Sequence, residues 1–257
     1  MLCAVDSWCW LLAVSLAGLP LWGQRPSPDE LRTISISAPA IFPTLTYGPG
    51  AWSVLHLFNP AASTKTVKVD VYRGTGEHLP IETLYTLKGG ATADIRIDGQ
   101  TSLYESCWAR IEDVSVPRQK PALQASAREE RVVGNRLENY PKTVGHLAPA
   151  ARWVTLAQTA SEKRIFFLNV SNESTVLKVC ATDDARNGCD TRNRRTSTVT
   201  ANAKQSVVLD VARLRSRYFL IESSNRVDAI IGLLRPEEGT SRVFSSETSI
   251  TFEEPAR

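Results

Sequence analysis

Histidine and methionine are scarce: three His and one Met in 257 residues. His56, His78 and His146 stand far apart, with no H-E-x-x-H or H-x-x-x-H spacing, so no zinc site is written into the chain. There is no G-x-S-x-G elbow, Walker loop or dinucleotide-binding glycine pattern, which removes the recognisable routes to acyl transfer and nucleotide chemistry. Charge of one sign is lacking as well. Thirty Lys and Arg against 27 Asp and Glu leave a net +3, too little to imply a nucleic-acid partner. The expectation is a non-enzymatic protein without catalytic residues, metal or cofactor. With 42% apolar and 22% charged residues, the composition is that of a globular chain, and its length suits two domains at about 100–150 residues each.

The one apolar run, Trp8 to Trp22, is too short for a comfortable membrane span of about 20 residues and is interrupted by Pro20. It reads as a signal peptide over 1–23, cleaved after Ala17 or Gly23, followed by a polar, Pro-rich linker over 24–32. Met1 to Ser7 departs from that pattern, having Asp6 and no Lys or Arg, so an uncleaved anchor and a misassigned start stay open. Export implies a secreted or periplasmic protein with no stable membrane span after cleavage. Cleavage would also remove Cys3 and Cys9 and leave Cys107, Cys180 and Cys189. Cys180 and Cys189 are the local pair for a disulfide, worth roughly 2.5–3 kcal/mol in the chain-entropy model, and two reduced thiols are the alternative. Cys107 then reads as a buried lone thiol.

Sliding the second half of the chain over the first shows self-similarity at a spacing near 110. Leu55-His56-Leu57-Phe58-Asn59 matches Ile165-Phe166-Phe167-Leu168-Asn169, and Val67-Lys68-Val69-Asp70-Val71 matches Leu177-Lys178-Val179-Cys180-Ala181. Ile95-Arg96-Ile97-Asp98 aligns with Val207-Val208-Leu209-Asp210 after a two-residue slip. Short runs of period two separated by turn residues predict strands rather than helices. The first copy has strands near 33–46, 51–58, 65–72, 81–87, 91–97, 106–113 and 121–128. The second has them near 153–158, 163–169, 175–181, 196–200, 205–211, 217–223, 227–234 and 241–252. One helical turn is allowed over 211–218. Alternation assigns the core to Leu55, Leu57, Val67, Val69, Val71, Ile95, Ile97, Ala109 and Ile111 in one copy. In the other it assigns Ile165, Phe167, Leu177, Val179, Leu209, Phe219 and Ile221. His56 and Phe166 fall on the opposite face. Asn59 and Asn169 end equivalent strands, where their amides are expected to bond turn backbone.

The run W-S-V-L-H-L-F-N-P-A with T-V-K-V-D-V-Y, and its counterpart R-I-F-F-L-N-V-S-N with V-L-K-V-C-A, resembles the tandem immunoglobulin-like or fibronectin-type-III-like modules of secreted bacterial proteins. The resemblance implies an all-β chain of two consecutive sandwiches of about seven strands, over 33–135 and 136–257, joined near Arg128 to Pro149. It also implies a binding or structural role in the cell envelope or outside the cell, through contacts to protein or surface glycan. A weaker resemblance to two-domain periplasmic pilus chaperones gives an assembly factor as the alternative. No Cys lies opposite Cys107, so the antibody inter-sheet disulfide is absent.

Four features remain. Glu105, Glu112, Asp113 and Glu222 could pair across a cleft as carboxylates do in hydrolases. Asp183 to Asp190 is acidic but has Ala185 and Arg194 where a calcium loop needs oxygen ligands, and reads as a turn at Asn187-Gly188. Arg192, Arg194, Arg195, Arg213, Arg215 and Arg217 read as solvated strand edges, with a basic patch for an anionic glycan, membrane or nucleic acid as the alternative. Asn169-Val170-Ser171 and Asn172-Glu173-Ser174 fit the glycosylation pattern.

Overall fold

The computed structural model describes residues 33–36, 38–99, 101–116, 120–145, 147, 149–156, 164–182, 189, 196–211, 218–236, 242–245 and 251–252. Among these the chain is all-β. The signal segment, the linker, the helical turn over 211–218 and His146 lie outside the described residues or largely so. The strands are β1 (Ile34–Ile36), β2 (Ala40–Tyr47), β3 (Ala51–Phe58), β4 (Lys65–Arg73), β5 (Leu84–Leu87), β6 (Thr92–Ile97), β7 (Glu105–Asp113), β8 (Leu123–Val133) and β9 (Arg136–Pro141). They continue with β10 (Ala150–Leu156), β11 (Arg164–Asn169), β12 (Thr175–Thr182), β13 (Thr196–Ala201), β14 (Ser206–Asp210), β15 (Tyr218–Val227), β16 (Ala229–Pro236), β17 (Arg242–Ser245) and β18 (Thr251–Phe252).

Four antiparallel sheets result. In the N-terminal half one sheet runs β1-β8-β3-β6 with β9 also on β8, and the other β2-β7-β4-β5. In the C-terminal half the orders are β14-β11-β16-β17 and β13-β12-β15-β10-β18. Each half closes a hydrophobic core of its own, one drawn from Ile36 to Ala127 and the other from Trp153 to Ile231. All sixteen side chains that alternation assigned inward are buried. A one-residue slip in any strand would have exposed its whole set.

Three expectations need correction. First, Leu55 faces Ile95 and Ile165 faces Leu209, so Leu209, rather than Val207, corresponds to Ile95. The second half carries four extra residues before this strand, and because four is even the buried face is preserved. Second, Phe166 is not wet: it is 5% exposed. Third, Arg136–Pro141 pairs with β8 through a two-residue turn, Val133 facing Arg136, so this strand joins the N-terminal sheet. Gly134 adopts φ +61° in that turn, a conformation glycine reaches without steric penalty.

Phe166 is enclosed because the two halves pack through one sheet each. Ile41 and Trp108 from the N-terminal half form a buried cluster with Phe166, Leu168, Val170 and Ile230, against which Tyr72 packs. Trp108 stacks on Tyr72 with centroids 4.5 Å apart and donates its indole N–H to the Lys204 carbonyl at 2.8 Å. The Ser206 N–H donates to the Gly74 carbonyl at 2.9 Å. The approach is close at the Arg73–Gly76 turn: a Cβ on Gly76, where φ is +96°, would stand 2.5 Å from the Ala203 carbonyl oxygen. A Gly76→Val change is therefore expected to open this seam.

Asn59 and Asn169 act as expected, each buried and each bonded in the same way. The Asn59 amide donates to the carbonyls of Ser63, Leu87 and Lys88 at 2.7, 2.9 and 3.1 Å and accepts from the Ala61 N–H at 3.1 Å. The Asn169 amide donates to those of Glu173, Asn202 and Ala201 at 2.7, 3.0 and 3.2 Å and accepts from the Ser171 N–H at 3.1 Å. Alanine at either site orphans buried carbonyls and is expected to cost about 1–3 kcal/mol in denaturant unfolding. A buried amide is also closed to glycosylation. Expressed in a host that glycosylates, the chain should carry a glycan at exposed Asn172 and none at Asn169 by peptide mass.

Candidate interaction surface

On the outward face of β3, β6 and β8 the pleat sets polar side chains in rows across the strands. His56 stands between Asp94 and Ser126, and its Nδ1 lies 2.5 Å from Asp94 Oδ1. A serine, a histidine and an aspartate in one row suggest a nucleophile. The Ser126 hydroxyl, however, is buried and makes no hydrogen bond, so His56 does not activate it. Mid-strand, its backbone N–H belongs to a ladder rather than to an oxyanion hole. The row is a polar cross-strand ladder, exposed at Asp94 and closed at Ser126.

The next row on this face is Val54 with Arg96 and Arg128, and the row beyond it holds Trp52. Its indole N–H donates to Glu130 at 2.5 Å, Glu130 also binds Arg128 at 2.6 Å, and the Arg96 guanidinium sits 4.0 Å over the Trp52 ring. Arg96 is held in turn by Asp98 at 2.8 Å. A guanidinium on that ring covers a face on which a sugar would otherwise stack. An open groove runs beside Trp52, lined by Gly48, Gly50, Ala51, Arg96, Asp98 and Gly99.

Around the Gly48–Gly50 turn the surface becomes apolar. Leu103 and Tyr104 lie against Gly48, and Val132 lies beside Gly50. Val132 pairs with Leu137 across the β8–β9 hairpin. Leu103 is 74% exposed, and Tyr104, Val132, Val133 and Leu137 are each about half exposed. The patch is anchored from below. Tyr47 donates its hydroxyl to Glu105, which also faces Arg73 at 3.5 Å. Burial and then the Glu105 carboxylate push the Tyr47 phenol up to about 12. Arg131 stands over the rings of Tyr104 and Tyr140 and pairs with the fully buried Glu129, which also pairs with Lys142.

The four carboxylates considered for hydrolysis are not brought together. Glu105 serves Tyr47 and Arg73. Glu112 pairs with Arg110 at 3.0 Å, Asp113 with Lys65 at 2.8 Å, and Glu222 with Arg152 at 3.7 Å. His78 packs edge-on against Tyr72 and lies 3.6 Å from Asp70. No group of three or more potential metal ligands occurs among the described residues. The acidic segment, apart from Cys189, and the six arginines lie outside them.

Cys180 and Cys189 are disulfide-bonded and pack on Leu220. Cys107 is free and buried, its thiol pushed well up by burial despite nearby Lys142. Since the thiolate is the nucleophile, Cys107 is expected to resist iodoacetamide in the native protein and to react on unfolding, read by mass. The residue that sequence reasoning missed is Lys204. It has φ +60°, accepts the Trp108 indole, donates its ammonium to the Val170 carbonyl and stands 6.0 Å from the Tyr72 ring centre. Burial, and then Arg110, hold its amine below the usual lysine range. It fastens the seam between the halves. Compared with known proteins, the chain matches no family model and no curated protein.

Proposed function

We propose that the chain is an exported, non-enzymatic binding or structural protein that contacts a partner protein through the loop end of its N-terminal sandwich. The observation that carries this reading is a group of exposed apolar side chains at one end of the N-terminal sheet, Leu103 and Tyr104 beside Gly48 and Val132 paired with Leu137 on the β8–β9 hairpin, next to the ionic group of Glu129, Arg131 and Lys142. Exposed apolar side chains gathered at one end of a rigid scaffold mark contact sites, and binding residues concentrate on connecting segments. Arg96 over Trp52 favours a protein over a glycan. The Cys180–Cys189 bond is compatible with an oxidising compartment, and no helix among the described residues is long and apolar enough to cross a membrane.

The two halves repeat one plan on this reading, supported by the matching orders β2-β7-β4-β5 and β10-β15-β12-β13 and by the paired asparagines. The immunoglobulin likeness holds for the antiparallel sandwich and not for the placement of its first and last strands. Immunoglobulin domains set the first strand beside the second and the last beside the sixth. Here β2 pairs with β7, and β8 with β3.

Fractionation of cells producing the tagged chain, with N-terminal sequencing, tests export: cleavage after Ala17 or Gly23 is expected, and retention in the cytosol contradicts it. Crosslinking capture with the natural chain and with a Tyr104→Lys, Leu137→Lys variant of unchanged melting temperature tests the contact. A partner lost from the variant supports the patch. One captured equally by both excludes it, and a strand-donating subunit held elsewhere points to the assembly factor.

A further inference from the structure

Two buried lysine–carboxylate pairs sit in the N-terminal half, and they differ in one respect. Asp113 is fully served: Lys65 donates to one of its oxygens at 2.8 Å and the Ser115 N–H to the other at 3.0 Å. Glu129 is not. Arg131 holds its Oε1, but Oε2 is buried and makes no hydrogen bond, although the Lys142 ammonium stands against it. The Lys142 side chain is 6% exposed and that of Glu129 0%. Buried carboxylate oxygens are nearly always hydrogen-bonded, so a close amine outside hydrogen-bond geometry calls for an explanation.

We propose that Lys142 and Glu129 condense to a side-chain amide. The ammonium and the carboxylate are together the complete reactants. The Lys142 nitrogen bonds Glu129 Cδ, the Cδ–Oε2 bond breaks, and Oε2 leaves as water with two of the ammonium protons. No oxidant, activating group or external proton is needed. Oε1 becomes the amide oxygen, and the Arg131 guanidinium that holds it steadies the negative charge it carries in the tetrahedral intermediate. Between free partners in water this condensation runs uphill, and two features reverse it here. Fixed neighbours react as if at an effective concentration on the order of 10⁵–10⁸ M, and the product removes two charges from an interior where charge is costly to keep. Arg131 retains the amide oxygen and the rings of Tyr104 and Tyr140. Lys65 and Asp113 stay ionic, because both Asp113 oxygens are already taken.

The bond lies at the base of the β8–β9 hairpin. Glu129 faces Tyr140, and Lys142 follows two residues later, its N–H donating to the Ala127 carbonyl at 2.9 Å. The amide closes residues 129–142 into one covalent ring that carries Val132, Val133 and Leu137, at the start of the connection to the C-terminal half. Tension on that connection would otherwise peel β9 from β8, and the amide sets the load on a covalent bond instead. The inference goes beyond the proposed function and does not rest on it, because purified chain tests it without partner or compartment.

Intact mass of the natural chain, purified folded and then denatured, is expected to fall one water, about 18 Da, below that of its sequence after allowance for the Cys180–Cys189 bond and any N-terminal cleavage. Tryptic mapping should place the loss by joining residues 129–131 to residues 137–152 through Lys142, which trypsin then leaves uncut. Lys142→Arg keeps the cation and removes the nucleophile, so it should restore the full mass. A natural chain of full mass, or a water loss that maps to Lys65 and Asp113 or to any other site, overturns the proposal whether or not the variant folds.

Discussion

Trp108→Ala is expected to destabilise the protein by about 3–5 kcal/mol, the range for emptying a buried tryptophan site. Trp108 is fully buried at the seam, stacked on Tyr72, and the cavity would open among Ile41, Phe166, Leu168 and Ile230. The change also withdraws the indole donor from the Lys204 carbonyl. In a chain of this size the loss corresponds to a fall in melting temperature on the order of 10 °C. A signature beyond magnitude separates a seam from an ordinary core site. Each half keeps its own core, so calorimetry should resolve two transitions in the variant where one is expected of the natural protein. Hydrogen exchange should quicken first at Phe166–Val170 and at Ser206, whose N–H bonds Gly74 across the seam. Trp108→Phe keeps most of the apolar area and loses the hydrogen bond, so about 1–2 kcal/mol is expected. A cost below about 1 kcal/mol for alanine would mean that the halves are held elsewhere.

The seam was legible in part. Period two sorts one face of a strand into its own core, and it did so for Leu55 and Leu57 as for Ile165 and Phe167. It is silent on a second face that another sheet covers, because that partner lies far away in sequence. The signal was there in another form: Ile165-Phe166-Phe167-Leu168 and Ile230-Ile231-Gly232-Leu233-Leu234 are continuous apolar runs, as in strands buried on both faces. Asn59, by contrast, leads into Pro60 and exposed Ala62 rather than a second apolar face. The β8–β9 hairpin was also readable, since Val132-Val133-Gly134-Asn135-Arg136-Leu137 places Gly-Asn between two short runs. Its outward residues make no core, so alternation gave no reason to extend the first half past 135. The apolar patch could not be read at all. It joins Gly48, Leu103 and the Val132–Leu137 pair, from two loops and one hairpin that only the sheet order brings to one end.

Parity carries further than the apolar residues, and this leads to the second large effect. Lys65 shares a face with Val67, Val69 and Val71, and Asp113 with Cys107, Ala109 and Ile111, so both point into the core. The structure pairs them at 2.8 Å with Lys65 fully buried, and Ser115 donates its N–H to Asp113 at 3.0 Å. At the other end of the same core Glu129 and Arg131 continue the row of Leu123, Ala125 and Ala127, again as an ionic group. Each end of the N-terminal core is thus closed by charges that neutralise one another. Asp113→Ala takes the carboxylate from a buried ammonium and is expected to cost about 3–5 kcal/mol in denaturant unfolding. Lys65→Met with Asp113→Leu removes both charges and should lie within about 1 kcal/mol of the natural protein or exceed it, since a buried pair seldom outdoes a well-packed apolar replacement. Burial alone would raise the Asp113 carboxyl, but the Lys65 ammonium and Ser115 outweigh it and hold it below its ordinary value of 3.8. Depressed in the folded state, it contributes stability above the unfolded value near ~3.9, and that contribution is lost as pH falls through the lower folded value. Unfolding free energy measured from about pH 6 to pH 2 should therefore decline less steeply at its acid end in the double variant than in the natural protein. Equal acid slopes would show that Asp113 is not held ionised by Lys65, and the pair would then be a hydrogen bond rather than a salt bridge.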